Sequence, residues 1–150
     1  MSAGKSEEEI FNSFVKHILS GLIKVVYDGF GGASRCRCYL VGRELINYIT
    51  GLENLGMAEA IKKVMSFIKE ARIVDEADAF ISEPILELYF RNCKFSEVAD
   101  EIIRSKIPLF VCPCTNVCLG LLEDKFGIDT ELISIERKDN SCKVRVYLFK

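Results

Sequence analysis

The chain has 150 residues, 49% of them hydrophobic and 28% charged, with Phe and Tyr but no Trp, which is ordinary globular usage and enough for one domain, residues 1–150, with its own core. Lys and Arg number 20 against 22 Asp and Glu, a formal net charge of -2, so there is no basic field for phosphates and nucleic acid is excluded as a partner. No apolar run approaches the roughly 20 residues that cross a bilayer; with a polar, acidic N-terminus and an odd count of seven cysteines, the reading is a cytoplasmic protein, not inserted in a membrane, whose cysteines are free thiols or metal ligands.

In chain order, Ser6 with Glu9 three positions on reads as a capping box that opens a first helix. Phe11, Phe14, Val15, Ile18, Leu22 and Val26 recur at steps of three and four, the stripe of a core-facing helix that ends before Gly29. After the Gly31-Gly32 break, Ser34 starts a second helix carrying Tyr39, Leu40, Leu45, Ile46 and Ile49 to a stop at Gly51. A third helix is expected from about Met57 to Ala71, with Ile61, Val64, Met65 and Ile68 on one face. The period then changes, and Arg72 to Val74, Ala79 to Ile81 and Ile85 to Arg91 read as strands, the last with Leu86, Leu88 and Phe90 on one face. Ser96 caps a short helix through Ile103, and Pro108 breaks the chain ahead of a further helix that ends at Gly127. Thr130 to Arg137 and Cys142 to Phe149 flank the polar turn Lys138 to Ser141 as a hairpin, with Cys142, Val144, Val146 and Leu148 facing the core. Helices first and hairpin-paired strands later predict an α+β fold: N-terminal helices packed on an antiparallel sheet, closed by a C-terminal β-hairpin.

The segment Cys112-Pro113-Cys114-Thr115-Asn116-Val117-Cys118 is the one place that looks built for chemistry. Cys114 and Cys118, four apart at a helix start, share a face, and Cys112 lies in the extended turn before them. Helix-start amides and the dipole favour thiolates there, as metal binding or redox chemistry needs. Cys142 is a candidate fourth ligand if the closing strand lies against this helix. The spacing is not that of paired zinc knuckles, and packing as small hydrophobes is the competing reading. Cys93, isolated between strand and helix, reads as a packed thiol without a role, and Cys36 and Cys38, two apart, as structural thiols. His17 is the only histidine and has no nucleophile near it in sequence.

Gly31-Gly32-Ala33, Tyr39 to Arg43, Pro113-Cys114 leading to Leu119-Gly120-Leu121-Leu122, Phe126-Gly127, Glu131 to Ser134 and Cys142 together resemble the 4-vinyl reductase domain family. That family is related in fold to Golgi transport particle subunits and haem-based nitric-oxide-sensing domains. The resemblance implies an α+β domain that binds a small apolar or aromatic molecule, often as a homodimer, with a zinc site of cysteines and a glutamate around the closing hairpin. By the same resemblance the cysteine after proline falls at Cys114 or Cys112, the glutamate of an E-x-x-C pattern at Glu131 and the last cysteine at Cys142. The cysteine of E-x-x-C is Ser134 here, so Cys112 or Cys118 would supply the missing sulfur.

Three functions follow as expectations. The first is a small-molecule binding or sensing domain with a structural zinc site drawn from Cys112, Cys114, Cys118, Glu131 and Cys142. The second is an interaction or dimerisation module with packed thiols, and the third an enzyme using the cluster for thiol redox or iron-sulfur chemistry.

Overall fold

Ser6 caps the first helix as its sequence predicts: its hydroxyl accepts from the Glu9 amide while the Glu9 carboxylate accepts from the Ser6 amide. The computed structural model describes residues 4–37 and 39–149, with the side chains of residues 35–41 left out of the description. The expected roles of Cys36, Cys38, Tyr39 and Leu40 fall among those residues. Helix α1 runs Glu7–Phe30, through the expected stop at Gly29 to Gly31, whose positive φ of 56° ends it. A 3-10 segment Gly31–Arg37 and α2 (Tyr39–Ile46) replace the single long helix expected from Ser34 to Gly51. Then come α3 (Met57–Glu70), β1 (Glu76–Ser82), β2 (Ile85–Arg91), α4 (Ser96–Arg104), α5 (Pro113–Phe126), β3 (Asp129–Lys138) and β4 (Ser141–Phe149). Arg72 to Val74, read as a strand, is a turn, in which Arg72 takes a positive φ of 56°. Ser96 is the first residue of α4 rather than its cap, a place taken by Phe95.

The four strands form one antiparallel sheet in the order β1-β2-β4-β3. This is the α+β fold that the order of elements predicts, with the closing hairpin β3-β4 at one edge. Leu86, Leu88 and Phe90 of β2 and Val144, Val146 and Leu148 of β4 are buried on one face, as the two-residue period requires. Helices α3 and α5 supply the other side of this core, with Ile61, Val64, Cys118, Leu121 and Leu122 fully enclosed. Helix α2 lies close on α5, because Gly42 and Gly120 have no side chain: a Cβ on Gly42 would collide with the Asn116 carbonyl.

A second, smaller cluster holds α1 and α4 to the chain: Ile23, Val98, Ile102 and Phe110 are buried together, with Leu19 and Tyr27 against them. Tyr27 stacks on Phe110 with ring centroids 5.9 Å apart. The predicted stripe of α1 does not face this core. Phe11, Phe14, Ile18 and Leu22 stand exposed on the opposite side of the helix, while Lys16 and Lys24 pair with Glu97 and Glu101 of α4. The helical period of α1 is the expected one but the stripe faces away from this core, since periodicity identifies an apolar face without saying what covers it.

Candidate thiol and metal site

The N-terminus of α5 sits where the end of β2, the start of α4 and the hairpin β3-β4 meet. Pro113 opens the helix at a position that needs no amide donor, and Cys112 takes the N-cap place in extended conformation. Its sulfur closes no regular capping hydrogen bond, yet it faces the Cys114 and Thr115 amides and the Thr115 hydroxyl. Cys114, in the first turn, is buried. Cys93 follows β2, and the Phe95 amide donates to its sulfur at 3.4 Å. Cys142 lies on β4 opposite Phe90 of β2 and Arg137 of β3.

These segments bring four thiols into one corner. The Cys114 thiol is shared between the sulfurs of Cys112 and Cys93, and Cys142 is close enough to both for their charges to be felt. Hydrogen bonds from Cys114 and Thr115, and the helix-start amides, hold Cys112 down to about 7 against burial. Cys93 is lowered for the same first reason, the hydrogen bond from Cys114, although burial opposes it. Cys114, as the shared donor, is pushed well up, first by its bond to Cys112, then by that to Cys93, then by burial. Burial also raises Cys142, and the Arg137 guanidinium, donating to that sulfur at 3.6 Å, opposes the rise. Arg137 is itself held by Asp100, at 2.7 and 3.3 Å.

The register of the hairpin separates the expected ligands. Glu131 is exposed and pairs with Tyr147, five residues along β4 from Cys142. At strand rise that is roughly 16 Å, too far for one ion. A bulge between Leu132 and Ser134 re-phases β3 before it reaches Arg137 and Cys142. Cys118 lies a turn deeper than Cys114, wholly buried in the main core, where burial drives its thiol far above the usual range. The structure thus brings together Cys112, Cys114 and Cys142 of the predicted set, leaves Cys118 in the core and Glu131 on the surface, and adds Cys93. Cys93 carries no spacing signal, since it lies 19 residues before Cys112; only the pairing of β2 with β4 brings it to Cys142. His17, exposed on α1, donates to the Ser13 carbonyl and takes no part.

Sulfur donors suit zinc or iron, and two features suit them as thiolates. The Thr115 hydroxyl is buried beside Cys112 with no hydrogen-bond partner of its own, and Arg137 brings a cation to Cys142. As the side chains stand, no three His, Cys, Asp or Glu among the described residues form a group that could hold a metal ion, so the chemistry of the donors fits an ion while closing on one takes rotamer changes. A cavity of about 40 Å³ adjoins the sulfurs, lined by Leu19 and Ile23 of α1, Val98 and Ile102 of α4, Phe110 and Ile135. It has room for water, not for an aromatic compound, which takes a pocket of at least roughly 300 Å³.

The family model described as "Putative rubredoxin C-terminal domain" matches residues 11–148. The chain belongs to that family. Its description differs from that of the 4-vinyl reductase domains that the motifs resemble. No curated protein matches the chain. Among 14 solved chains that match is one from "Probing the function of heme distortion in the H-NOX family", with a TM-score of 0.46 and 12% identity over 98% of this chain and 73% of that one. No ligand or activity transfers at that distance. No helix among the described residues is long and apolar enough to cross a membrane.

Proposed function

We propose that this domain is a thiolate metal module, in which Cys93, Cys112, Cys114 and Cys142 hold one structural zinc ion. The observation that carries the reading is the convergence of Cys93, Cys112 and Cys142 on one small cavity, with Cys114 buried in the first turn of α5 and within electrostatic reach of Cys112 and Cys93. Four soft sulfurs from the end of β2, the cap and first turn of α5, and β4 are the donor set that zinc takes in closed, tetrahedral structural sites. A bound ion would tie these segments together, so that metal binding is also folding free energy. The chain's own residues prepare the charge: the helix-start amides and the Thr115 hydroxyl face Cys112, the Phe95 amide faces Cys93, and Arg137 faces Cys142.

Iron is the alternative occupant suggested by the family's description, and the two separate cleanly by experiment. Protein purified in a reducing, metal-free buffer is expected to carry one zinc per chain and no visible colour; iron with visible absorbance favours the alternative. Absence of both metals would sink the reading. Free thiols of this kind belong in a reducing compartment such as the cytoplasm.

Binding of a small apolar molecule, with the whole chain as one 4-vinyl reductase-like domain, is the second reading. The apolar cavity against the sulfurs supports it. An aromatic ligand would have to part α1 from α4 to enter, and a tight complex with such a compound in native mass spectrometry would establish it.

A further inference from the structure

Helix α1 has two apolar faces, and its own domain uses one. Leu19, Ile23 and Tyr27 pack toward α4 and Phe110. On the opposite side Phe11, Phe14, Val15, Ile18, Leu22 and Val25 form a continuous stripe, with Phe11, Phe14 and Val25 each between 64% and 68% exposed. No charged side chain interrupts it from Ile10 to Val25, because Lys16 and Lys24 point to α4 and pair there, and Asp28 lies beyond its last residue. From Phe11 to Val25 the stripe is roughly 21 Å long at helical rise. With its six side chains between 41% and 68% exposed, it offers roughly 600 Å² of apolar surface, about three quarters of one side of a standard interface and at the upper end of what a monomer leaves open.

We infer that a second copy of this chain covers the stripe, with the two α1 helices packed antiparallel about a twofold axis near Ile18. Three features of α1 favour that occupant. Phe11, Ile18 and Val25 recur at intervals of seven, and Phe14 and Gly21 fall between them, the seam spacing of a paired helix. The stripe tapers along the helix. Its N-terminal half carries Phe11 and Phe14, its C-terminal half Gly21, Leu22 and Val25, and Gly21 has open space where a side chain would be. Reversing one copy about Ile18 sets Phe11 against Val25 and Phe14 against Leu22 beside Gly21, so bulk meets space twice over. A parallel pair would put Phe on Phe and leave the gap at Gly21 unfilled. A membrane surface fits poorly, because interfacial helices present free Lys and Arg around the apolar face, whereas here the two lysines of α1 are paired and Glu7, Glu8 and Glu9 lead the helix.

Sedimentation equilibrium or light scattering on the whole chain tests this, independently of any metal. A particle of twice the chain mass is expected at micromolar concentration. Phe14→Asp and Ile18→Asp should each yield folded monomers by circular dichroism, and Phe80→Asp, at an exposed apolar position on β1, should leave the dimer intact. Orientation is read by disulfide trapping: Phe11→Cys mixed with Val25→Cys cross-links between chains, while Phe11→Cys alone does not. A wild-type monomer, with or without affinity for phosphatidylserine vesicles, overturns the proposal. So does a dimer that survives both Asp variants, or one trapped by Phe11→Cys alone.

Discussion

The thiol corner and the outer face of α1 are opposites in how sequence becomes site. In the corner, four cysteines from three stretches of chain converge because the sheet pairs β2 with β4 and the N-terminus of α5 points at their end. On α1, every residue of the surface comes from one helix, and the tertiary structure contributes only by leaving it uncovered. A site assembled by topology is hard to see in a sequence and robust once folded. A site assembled by period is easy to see, and its occupant is the open question.

That contrast can be broken most sharply in the corner. Cys114→Ser removes the thiol that the other two share, and is expected to abolish metal binding and lower the thermal midpoint by well over the roughly 2–4 °C that about 1 kcal/mol is worth in a domain of this size. Chelation of the wild type should mimic it. Cys118→Ala, with only packing to lose, is expected to keep the metal and to destabilise by about 1–2 kcal/mol in denaturant titrations.

Arg137→Met should leave the metal stoichiometry intact at neutral pH. With the cation gone the thiols become harder to ionise, so acid-driven metal release should shift to higher pH, and stability should fall by about 1–2 kcal/mol. In metal-free protein, Cys112 lies below its unfolded value of about 9, at about 7. Its contribution is therefore present above about pH 9 and lost as pH falls through about 7, a change of the order of 2–3 kcal/mol that Cys112→Ser should erase. Alkylation of Cys112 should follow the same midpoint near pH 7, with Cys118 unreactive. The smallest effect belongs to α1: Lys16→Ala removes a surface pair with Glu97 and should cost no more than about 0.5 kcal/mol by chemical denaturation.

Much of the fold was legible in the sequence, and for physical reasons. The capping box at Ser6, the alternation in β2 and β4, and the stop at Gly127, which takes a left-handed φ of 61°, are local signals carried by residues next to one another. The burial of Cys142 followed from strand parity alone. Less of the site was legible. Cys112 and Cys114 announced themselves by spacing, but Cys118 shares their helix face and still falls inside the core, since α5 is buried almost all round from Cys114 to Leu122. Glu131 was placed by resemblance, and the register set it at the wrong end of the hairpin. Cys93 had only its burial habit to go on, because the β2-β4 pairing that gives it neighbours is a long-range contact that no local pattern encodes. The direction of α1 failed similarly: a stripe at helical spacing is the same whether a core or a second chain lies against it.

The central claim is that Cys93, and not Glu131 or Cys118, completes the ligand set with Cys112, Cys114 and Cys142. Metal analysis by mass spectrometry on Cys93→Ser, Glu131→Gln and Cys118→Ala, each purified in parallel with wild type, addresses it directly. The expected result is one ion per chain in wild type, Glu131→Gln and Cys118→Ala, and none in Cys93→Ser. Retention of the ion in Cys93→Ser together with its loss in Glu131→Gln would contradict the account.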